Sequence, residues 1–261
     1  RLEIIILDVG QGDAILVHAP NGNTILIDAG QRFGGKDMGK DVIQPYLKYR
    51  NWTKLDILVL THPHNDHIGG AQYLVENVPV GKVLMPDIEY DSFGYKMLCE
   101  SISTYNIPTQ TVFAGYIDST LKPIYFRVMG PQWYEHASQP SNINNTSIVM
   151  QLFYGETSIM LAGDGEEIIE HNQLPLGILL KSDLIKAPHH GSKTSSGQAY
   201  IDLVHPEICL MSLGVKNKFR HPSQITLDKY IKLGSEIHRT DLEGAIIYTS
   251  DGQQWTRHDW K

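Results

Sequence analysis

Four groups able to bind a metal ion fall within six positions: His62, His64, Asp66 and His67, in the run Thr61-His62-Pro63-His64-Asn65-Asp66-His67-Ile68-Gly69-Gly70. They follow the apolar segment Leu55 to Leu60 and precede a helical pattern, which puts them on a strand-to-helix turn. Imidazole nitrogen and carboxylate oxygen suit Zn²⁺, and also Mn²⁺ or Fe²⁺. On a tight turn His62 and His64 can point one way while Asp66 and His67 point another. That geometry serves two neighbouring ions better than one. Two ions ~3.5–4 Å apart can share a hydroxide nucleophile and clamp an ester or a phosphate. One histidine here would be an ordinary loop residue; three with an aspartate imply metal-dependent hydrolysis.

Such a cluster needs elements to hold it. Leu2 to Val9, Ala14 to Ala19 and Thr24 to Asp28 read as strands, joined by Gly10-Gln11-Gly12-Asp13 and by the hairpin turn Pro20-Asn21-Gly22-Asn23. Asp41 to Arg50 has helical spacing with Asp41 as its cap, and Ile68 to Asn77 reads as a helix. Val83 to Met85 is the next strand; Ser101 to Thr111 reads as a helix passing into a strand at Val112 to Ala114. Further on, Ile124 to Val128, Thr146 to Phe153, Thr157 to Ala162, Asp183 to Ala187 and Ile208 to Leu213 have strand character. Glu236 to Arg239 and Ala245 to Tyr248 are expected to close the chain as a hairpin around Leu242-Glu243-Gly244. Gly130 to Asn145, rich in Pro, Gln, Ser and Asn, reads as a surface loop. Both halves run from strands into alternating helix and strand. The expected fold is α/β, a four-layer αβ/βα sandwich with the site at its seam. It would be one domain over residues 1–261, built from halves of about 1–125 and 126–261.

Composition narrows the class. The 261 residues carry 29 acidic against 22 basic side chains, a formal charge of −7, which argues against a general nucleic-acid binder and leaves room for a local basic groove. Bound divalent ions would offset part of that charge. Cys99 and Cys209 lie in apolar surroundings and read as free thiols. No apolar run reaches the ~18–20 residues that span a bilayer. Because Arg1 leads straight into a strand, the chain is expected to be a trimmed or excised piece of something longer.

The HxHxDH spacing resembles the metallo-β-lactamase superfamily, and the resemblance assigns roles elsewhere. It implies that Asp28, at the end of Ile25-Leu26-Ile27, orients the metal loop as an acceptor for a loop N–H or a ligand imidazole. It implies that Asp164, in Leu161-Ala162-Gly163-Asp164-Gly165, bridges the two ions, and that Pro188-His189-His190-Gly191-Ser192 supplies a last histidine. Spacing leaves open which of the adjacent pair binds; His190 is favoured as ligand, with His189 as ligand, orienting partner or proton donor. A further histidine expected about twenty positions before the bridging aspartate is missing, and Asn145 stands at that position. One of the two metal sites would therefore be weak.

Finer motifs narrow the resemblance. Asp8-Val9-Gly10-Gln11-Gly12-Asp13-Ala14, the Asn144-Asn145-Thr146-Ser147 segment, His189 to Ser196, and Asn217-Lys218-Phe219-Arg220-His221-Pro222 occur in that order. Together they resemble the C-terminal domain of the ComEC family of competence DNA-uptake proteins, over Leu2 to Gln254. The resemblance implies a phosphodiesterase, a nuclease acting on incoming DNA through a metal-bound hydroxide, with two Zn²⁺ or Mn²⁺ ions. Asp66 would then serve catalysis as well as ligation. It also implies a membrane channel upstream in the same chain, and placement at the extracytoplasmic face of a membrane or secretion. Lys193, Ser195 and Ser196 suit phosphate oxygens, with Lys193 as a point charge. His221 could give a proton to the leaving alkoxide or contact phosphate. The competing expectations are a free-standing hydrolase of a small phosphodiester, phosphorylcholine-type ester or lactone, with weak β-lactamase activity, and a non-catalytic domain supporting an uptake channel.

Overall fold

Alternation along the strands decides the layering. In β1 (Leu2–Ile6), Ile4 and Ile6 belong to one buried cluster and Ile5 to another, so both faces of the strand are covered. The structure, a computed structural model, describes residues 1–133 and 142–259. The strands of the N-terminal part are β2 (Ile15–His18), β3 (Thr24–Ile27), β4 (Arg32–Phe33), β5 (Lys36–Asp37), β6 (Leu55–Val59), β7 (Val80–Met85), β8 (Thr109–Thr111) and β9 (Ile117–Asp118). Then come β10 (Tyr125–Gly130), β11 (Val149–Tyr154), β12 (Thr157–Leu161), β13 (Leu184–Lys186), β14 (Ile208–Met211), β15 (Glu236–Arg239), β16 (Ile246–Ser250) and β17 (Trp255–His258). One sheet runs β17-β16-β1-β2-β3-β6-β7-β8, the other β15-β14-β13-β12-β11-β10-β9, and β4–β5 is a separate small hairpin.

The helices are α1 (Gln44–Tyr49), α2 (Asn65–Ile68), α3 (Ala71–Asn77), α4 (Phe93–Thr104), α5 (Glu167–Gln173), α6 (Gln198–Val204), α7 (Gln224–Leu233) and α8 (Thr240–Glu243). The two sheets share a central core that includes Ile4, Val17, Ile27 and Val59 from the first and Phe126, Met150, Ile159 and Leu184 from the second. On the outer face of the first sheet, Leu16, Leu26 and Leu58 pack with Leu47, Leu74, Leu98 and Ile102 from α1, α3 and α4. Met160, Ile185 and Cys209 of the second sheet pack with Ile169, Ile201, Val204 and Tyr230 from α5, α6 and α7. The result is the αβ/βα sandwich, and its central strands β1, β2, β3, β6, β12 and β13 are largely apolar because they are covered on both sides. By contrast, β8 and β17 at the ends of the first sheet are mostly exposed. Each such buried aliphatic side chain contributes about 1.5–3 kcal/mol.

Five expectations need correction. The C-terminal strands are not a hairpin: β15 lies parallel to β14 in the second sheet, whereas β16 pairs with β1 and β17 in the first. The division near residue 125 is likewise crossed, since β16 and β17 join the N-terminal sheet and β9 joins the C-terminal one. The helix placed at 101–111 is α4, which begins eight residues earlier where Ser92 Oγ accepts from Tyr95 N. The expected 68–77 helix is two short pieces broken at Gly69–Gly70, because a Cβ on Gly70 would lie 2.3 Å from Gly39 N and 2.4 Å from Ala29 O. Asp41 caps nothing; its carboxylate accepts from Asp37 N, and the turn begins at Gly39. Residues 134–141 of the loop expected at 130–145 lie outside the described residues. Cys99, half-buried, and Cys209, buried, are both free. Among the described residues no helix is long and apolar enough to cross a membrane.

Candidate metal centre

Parallel pairing brings the chemistry together. β3 lies parallel to β6, and β12, β13 and β14 are parallel neighbours, so their carboxyl ends open on one edge of the sandwich. Asp28 follows β3, the His62–His67 run follows β6, Asp164 follows β12, His189 and His190 follow β13, and Ser212 follows β14.

Asp164 lies at the middle. Its Oδ2 is 3.2 Å from His67 Nε2, 3.9 Å from His62 Nε2 and 3.9 Å from His189 Nε2; its Oδ1 is 3.6 Å from His190 Nε2. His190 Nε2 also lies 3.7 Å from Asp66 Oδ2. His62 Nε2 and His64 Nδ1 face each other at 3.1 Å. His62 and His67 face the same Asp164 oxygen, with their rings 4.1 Å apart, while His190 faces the other oxygen and closes a second group with Asp66 and His67.

Each imidazole is oriented by its far nitrogen. Asp28 Oδ2 accepts from His67 Nδ1 at 2.7 Å and from Thr61 Oγ1 at 2.6 Å, while its Oδ1 accepts from Thr61 N. With its proton committed to Asp28, Thr61 Oγ1 is left to accept from His62 Nδ1 at 3.2 Å. His190 Nδ1 lies 2.8 Å from the Ser212 carbonyl. In each case the Nδ1 is engaged away from Asp164, which leaves Nε2 as the nitrogen that faces it.

Burial and charge divide the protonation states. Burial and then the neighbouring His67 hold His62 well below the usual imidazole range. Against burial, the Asp164 and Asp28 carboxylates push His67 well up, and Asp164 with Asp13 raises His190 to about 9. Burial also opposes ionisation of Asp164, but His190 and His67 outweigh it and hold the carboxyl well below its usual range. His67 Nε2, His190 Nε2 and Asp164 Oδ1 are buried and make no hydrogen bond with a described residue. Buried polar atoms left unpaired cost free energy, and these are nitrogen and oxygen donors converging from three sides. The residues fit a pair of divalent ions. The protons that His67 and His190 hold would have to leave for these nitrogens to ligate.

His189 and His190 diverge because both are left-handed, with φ of 49° and 53°, a costly conformation concentrated at functional sites. Their rings lie 6.3 Å apart at 62°. His190 is buried against Asp13 and Asp164, whereas His189 is partly exposed, with Nδ1 3.1 Å from Glu166 Oε1. Asn144 Nδ2 donates to the same Glu166 oxygen and lies 3.4 Å from His189 Nε2. Asn144, not Asn145, therefore adjoins the centre; Asn145 Oδ1 accepts from Glu166 N.

The substrate assignments divide. Lys193 is exposed beside an open depression of about 440 Å³ that Asn145, Glu166 and Thr194 also line. Ser195 and Ser196 are fully buried and cannot touch a substrate. Ser195 Oγ donates to the Pro188 carbonyl and Ser196 Oγ pairs with Tyr230 Oη, which fixes the loop behind the two histidines. A Gly-Ser-rich run looks exposed in sequence when its hydroxyls serve its own backbone. His221, with its ring 5.5 Å from that of His189, is drawn down to about 4 by burial and by His189 and His190. Neutral at pH 7, it carries no imidazolium proton, so the phosphate-contact role remains to it.

Sequence reasoning missed three groups. Asp13, read as a turn residue, is buried between His190 and Lys186, whose ammonium lies 2.8 Å from its Oδ2. Lys186 itself is fully buried at the end of β13. Glu166 gathers Asn142, Asn144 and His189. Lys186 carries a signal, a charged residue at the end of an apolar strand; Asp13, in the turn before β2, and Glu166, beyond the end of β12, carry none.

Residues 7–132 match the model of the Metallo-beta-lactamase superfamily. The chain is 29% identical over 258 residues to ComE operon protein 3 of Bacillus subtilis (strain 168), which covers 94% of this chain and 33% of that protein. It is 28% identical over 251 residues to Competence protein ComA of Neisseria gonorrhoeae, covering 94% of the chain and 32% of that protein. The chain thus spans about a third of the length of these curated relatives. In fold it is similar to CmlA, a diiron beta-hydroxylase from Streptomyces venezuelae, with a TM-score of 0.61 at 14% identity over 98% of this chain and 54% of that one.

Proposed function

We propose that this chain, which carries a metallo-β-lactamase domain and is similar over nearly its whole length to competence proteins, is a metal-dependent phosphodiesterase that cleaves DNA during uptake. The observation that carries the reading is the convergence on Asp164 of buried ligand nitrogens from two sheets. Asp66, His67 and His190 would hold one divalent ion, His62 and His64 the other, with Asp164 between them; Zn²⁺ and Mn²⁺ both suit these donors. Such a pair supplies Lewis acidity toward a phosphoryl oxygen and lowers the pKa of water.

The chain's own groups do the rest. Asp28, Thr61 and the Ser212 carbonyl fix the tautomers of His67, His62 and His190, so the donor set needs no rearrangement. Lys193 offers a cation to a phosphate oxygen at the rim, and neutral His221 offers a hydrogen-bond contact. The depression beside Lys193 is open, which suits a chain passing through better than an enclosed small ester. In this reading the domain is the extracytoplasmic or secreted part of a longer protein with a membrane channel.

Elemental analysis of the purified chain should find two divalent ions, one more readily lost. Labelled single- and double-stranded DNA should be cut with Mn²⁺ or Zn²⁺, and Asp66→Ala or Asp164→Ala should abolish cutting without unfolding the protein. Turnover of bis(p-nitrophenyl) phosphate with no DNA cleavage under either ion would remove DNA as the substrate. Full activity in both variants would remove the two-metal mechanism.

A further inference from the structure

The loop after β14, Val215-Lys216-Asn217-Lys218-Phe219-Arg220, carries three cations in five positions, and no acidic residue occurs between Leu213 and Gln224. Lys216, Lys218 and Arg220 are exposed, and none forms an ion pair with a described residue. Elsewhere in this acidic chain several cations are tied down, such as Arg50 to Glu3, Lys82 to Asp118 and Arg239 to Asp241. On this loop three unpaired cations are gathered with no acidic neighbour in the segment.

The loop is also aimed and rigid. Asn217 closes it, donating from Nδ2 to the Gly214 and His221 carbonyls while its Oδ1 accepts from His221 N. Its root is fixed where Gly214 N donates to Gln11 Oε1. From the metal centre outward a line of rings leads onto it. The His189 ring lies 5.5 Å from that of His221, and the His221 ring stacks on Phe219 at 5.7 Å and 12°. Lys218 Nζ sits 4.9 Å from the Phe219 ring, and Phe219 is 52% exposed.

We infer that this loop grips a single-stranded nucleic acid leaving the metal centre, with Phe219 stacking on an unpaired base and Lys216, Lys218 and Arg220 on its phosphates. The inference rests on the phosphodiesterase reading and gives it a strand state. An aromatic ring flanked by cations holds a strand without reading its sequence, and it needs a base free of a complementary partner. The polyanion complements the loop's charge, and continuity with His189 and His221 makes the occupant the substrate itself.

The test measures binding of the metal-loaded full chain to a cleavage-resistant phosphorothioate oligothymidylate across a salt series. The triple variant Lys216→Ala/Lys218→Ala/Arg220→Ala should bind at least tenfold more weakly, with the slope of log K against log salt reduced by about 2. Phe219→Ala should lose roughly 5- to 100-fold at unchanged slope, and Phe219→Trp should restore binding. Lys40→Ala/Lys48→Ala/Lys232→Ala, which removes the same charge elsewhere, should leave affinity within a factor of two. Unchanged affinity and slope in the loop variants would overturn the grip. So would equal binding of duplex, or loss of binding to phosphatidylglycerol vesicles with oligonucleotide binding intact. Tight loop-dependent binding with no cleavage of natural DNA would sink the nuclease reading and leave the grip. Cleavage without measurable binding would do the reverse.

Discussion

His67 Nδ1 lies 2.7 Å from Asp28 Oδ2, and both side chains are fully buried. Asp28 itself is left-handed, at φ 58°, a conformation that asparagine and aspartate tolerate better than other side chains. One carboxylate thereby fixes His67 directly and His62 through Thr61 Oγ1, the two rings that face Asp164 Oδ2. Asp28→Asn keeps shape and backbone but removes the charge that holds the His67 proton in place. Metal affinity should fall 10- to 100-fold, by the usual cost of losing a carboxylate behind a ligand histidine, about 1.4–2.7 kcal/mol. Titration against a chelator of known affinity measures it. Wild-type affinity in the Asn variant would show that the tautomer is set by something else.

The turn at Gly10–Asp13 is bound to the metal loop through its backbone. Asp13 N donates to the Asp66 carbonyl, and a Cβ on Gly12 would sit 2.0 Å from that same oxygen. Gly12 also has φ 131°, which side chains rarely adopt. Gly12→Ala must displace Asp66, Gly12 or both, so it should cost more than about 3 kcal/mol in stability. Whatever fraction folds should bind metal weakly. Thermal unfolding with and without metal reads both effects. A Gly12→Ala protein with wild-type melting temperature and metal content would mean that the turn does not hold the loop.

Sequence legibility followed the range of the interaction. The His62–His67 cluster is legible because its members lie on one turn, whereas its pairing with Asp164 and His190 comes from the family resemblance, since no local pattern links residues about 100 or more positions apart. Asp13 and Lys186 are 173 positions apart in sequence order and meet only where β13 ends beside the first turn. Asn144 and Asn145 are separated by one step of a 3₁₀ turn, and that step decides which of them faces His189. Ser195 and Ser196 are polar yet fully buried, and nothing local in the sequence separates a hydroxyl that serves its own backbone from one that faces solvent. The sandwich itself follows from two halves that each run from strands into alternating helix and strand, but the return of β16 to β1 does not: local pattern sees adjacent strands and not the sheet each one joins.

Glu170 offers a pH test outside the metal centre. It is 4% exposed on α5, and its two oxygens accept from Ser196 N at 2.6 Å and Gly197 N at 2.7 Å, fixing the turn that leads into α6. Burial outweighs these hydrogen bonds and raises its carboxyl from 4.5 to about 7. The folded chain therefore keeps this proton up to about pH 7, whereas the unfolded chain gives it up near 4.5. In that window the folded state binds more protons, so stability falls as pH rises. The contribution is complete below the unfolded value and lost as pH climbs through the folded one, amounting to about 3 kcal/mol. Glu170→Gln cannot titrate. Its stability minus that of the wild type should rise between pH 4.5 and 7 and level off above, measured by denaturant unfolding of metal-free protein. Groups common to both proteins, the metal-site histidines included, cancel in the difference. A difference flat across the window would mean that Glu170 is ionised throughout, its charge carried by the two backbone N–H groups at the head of α6.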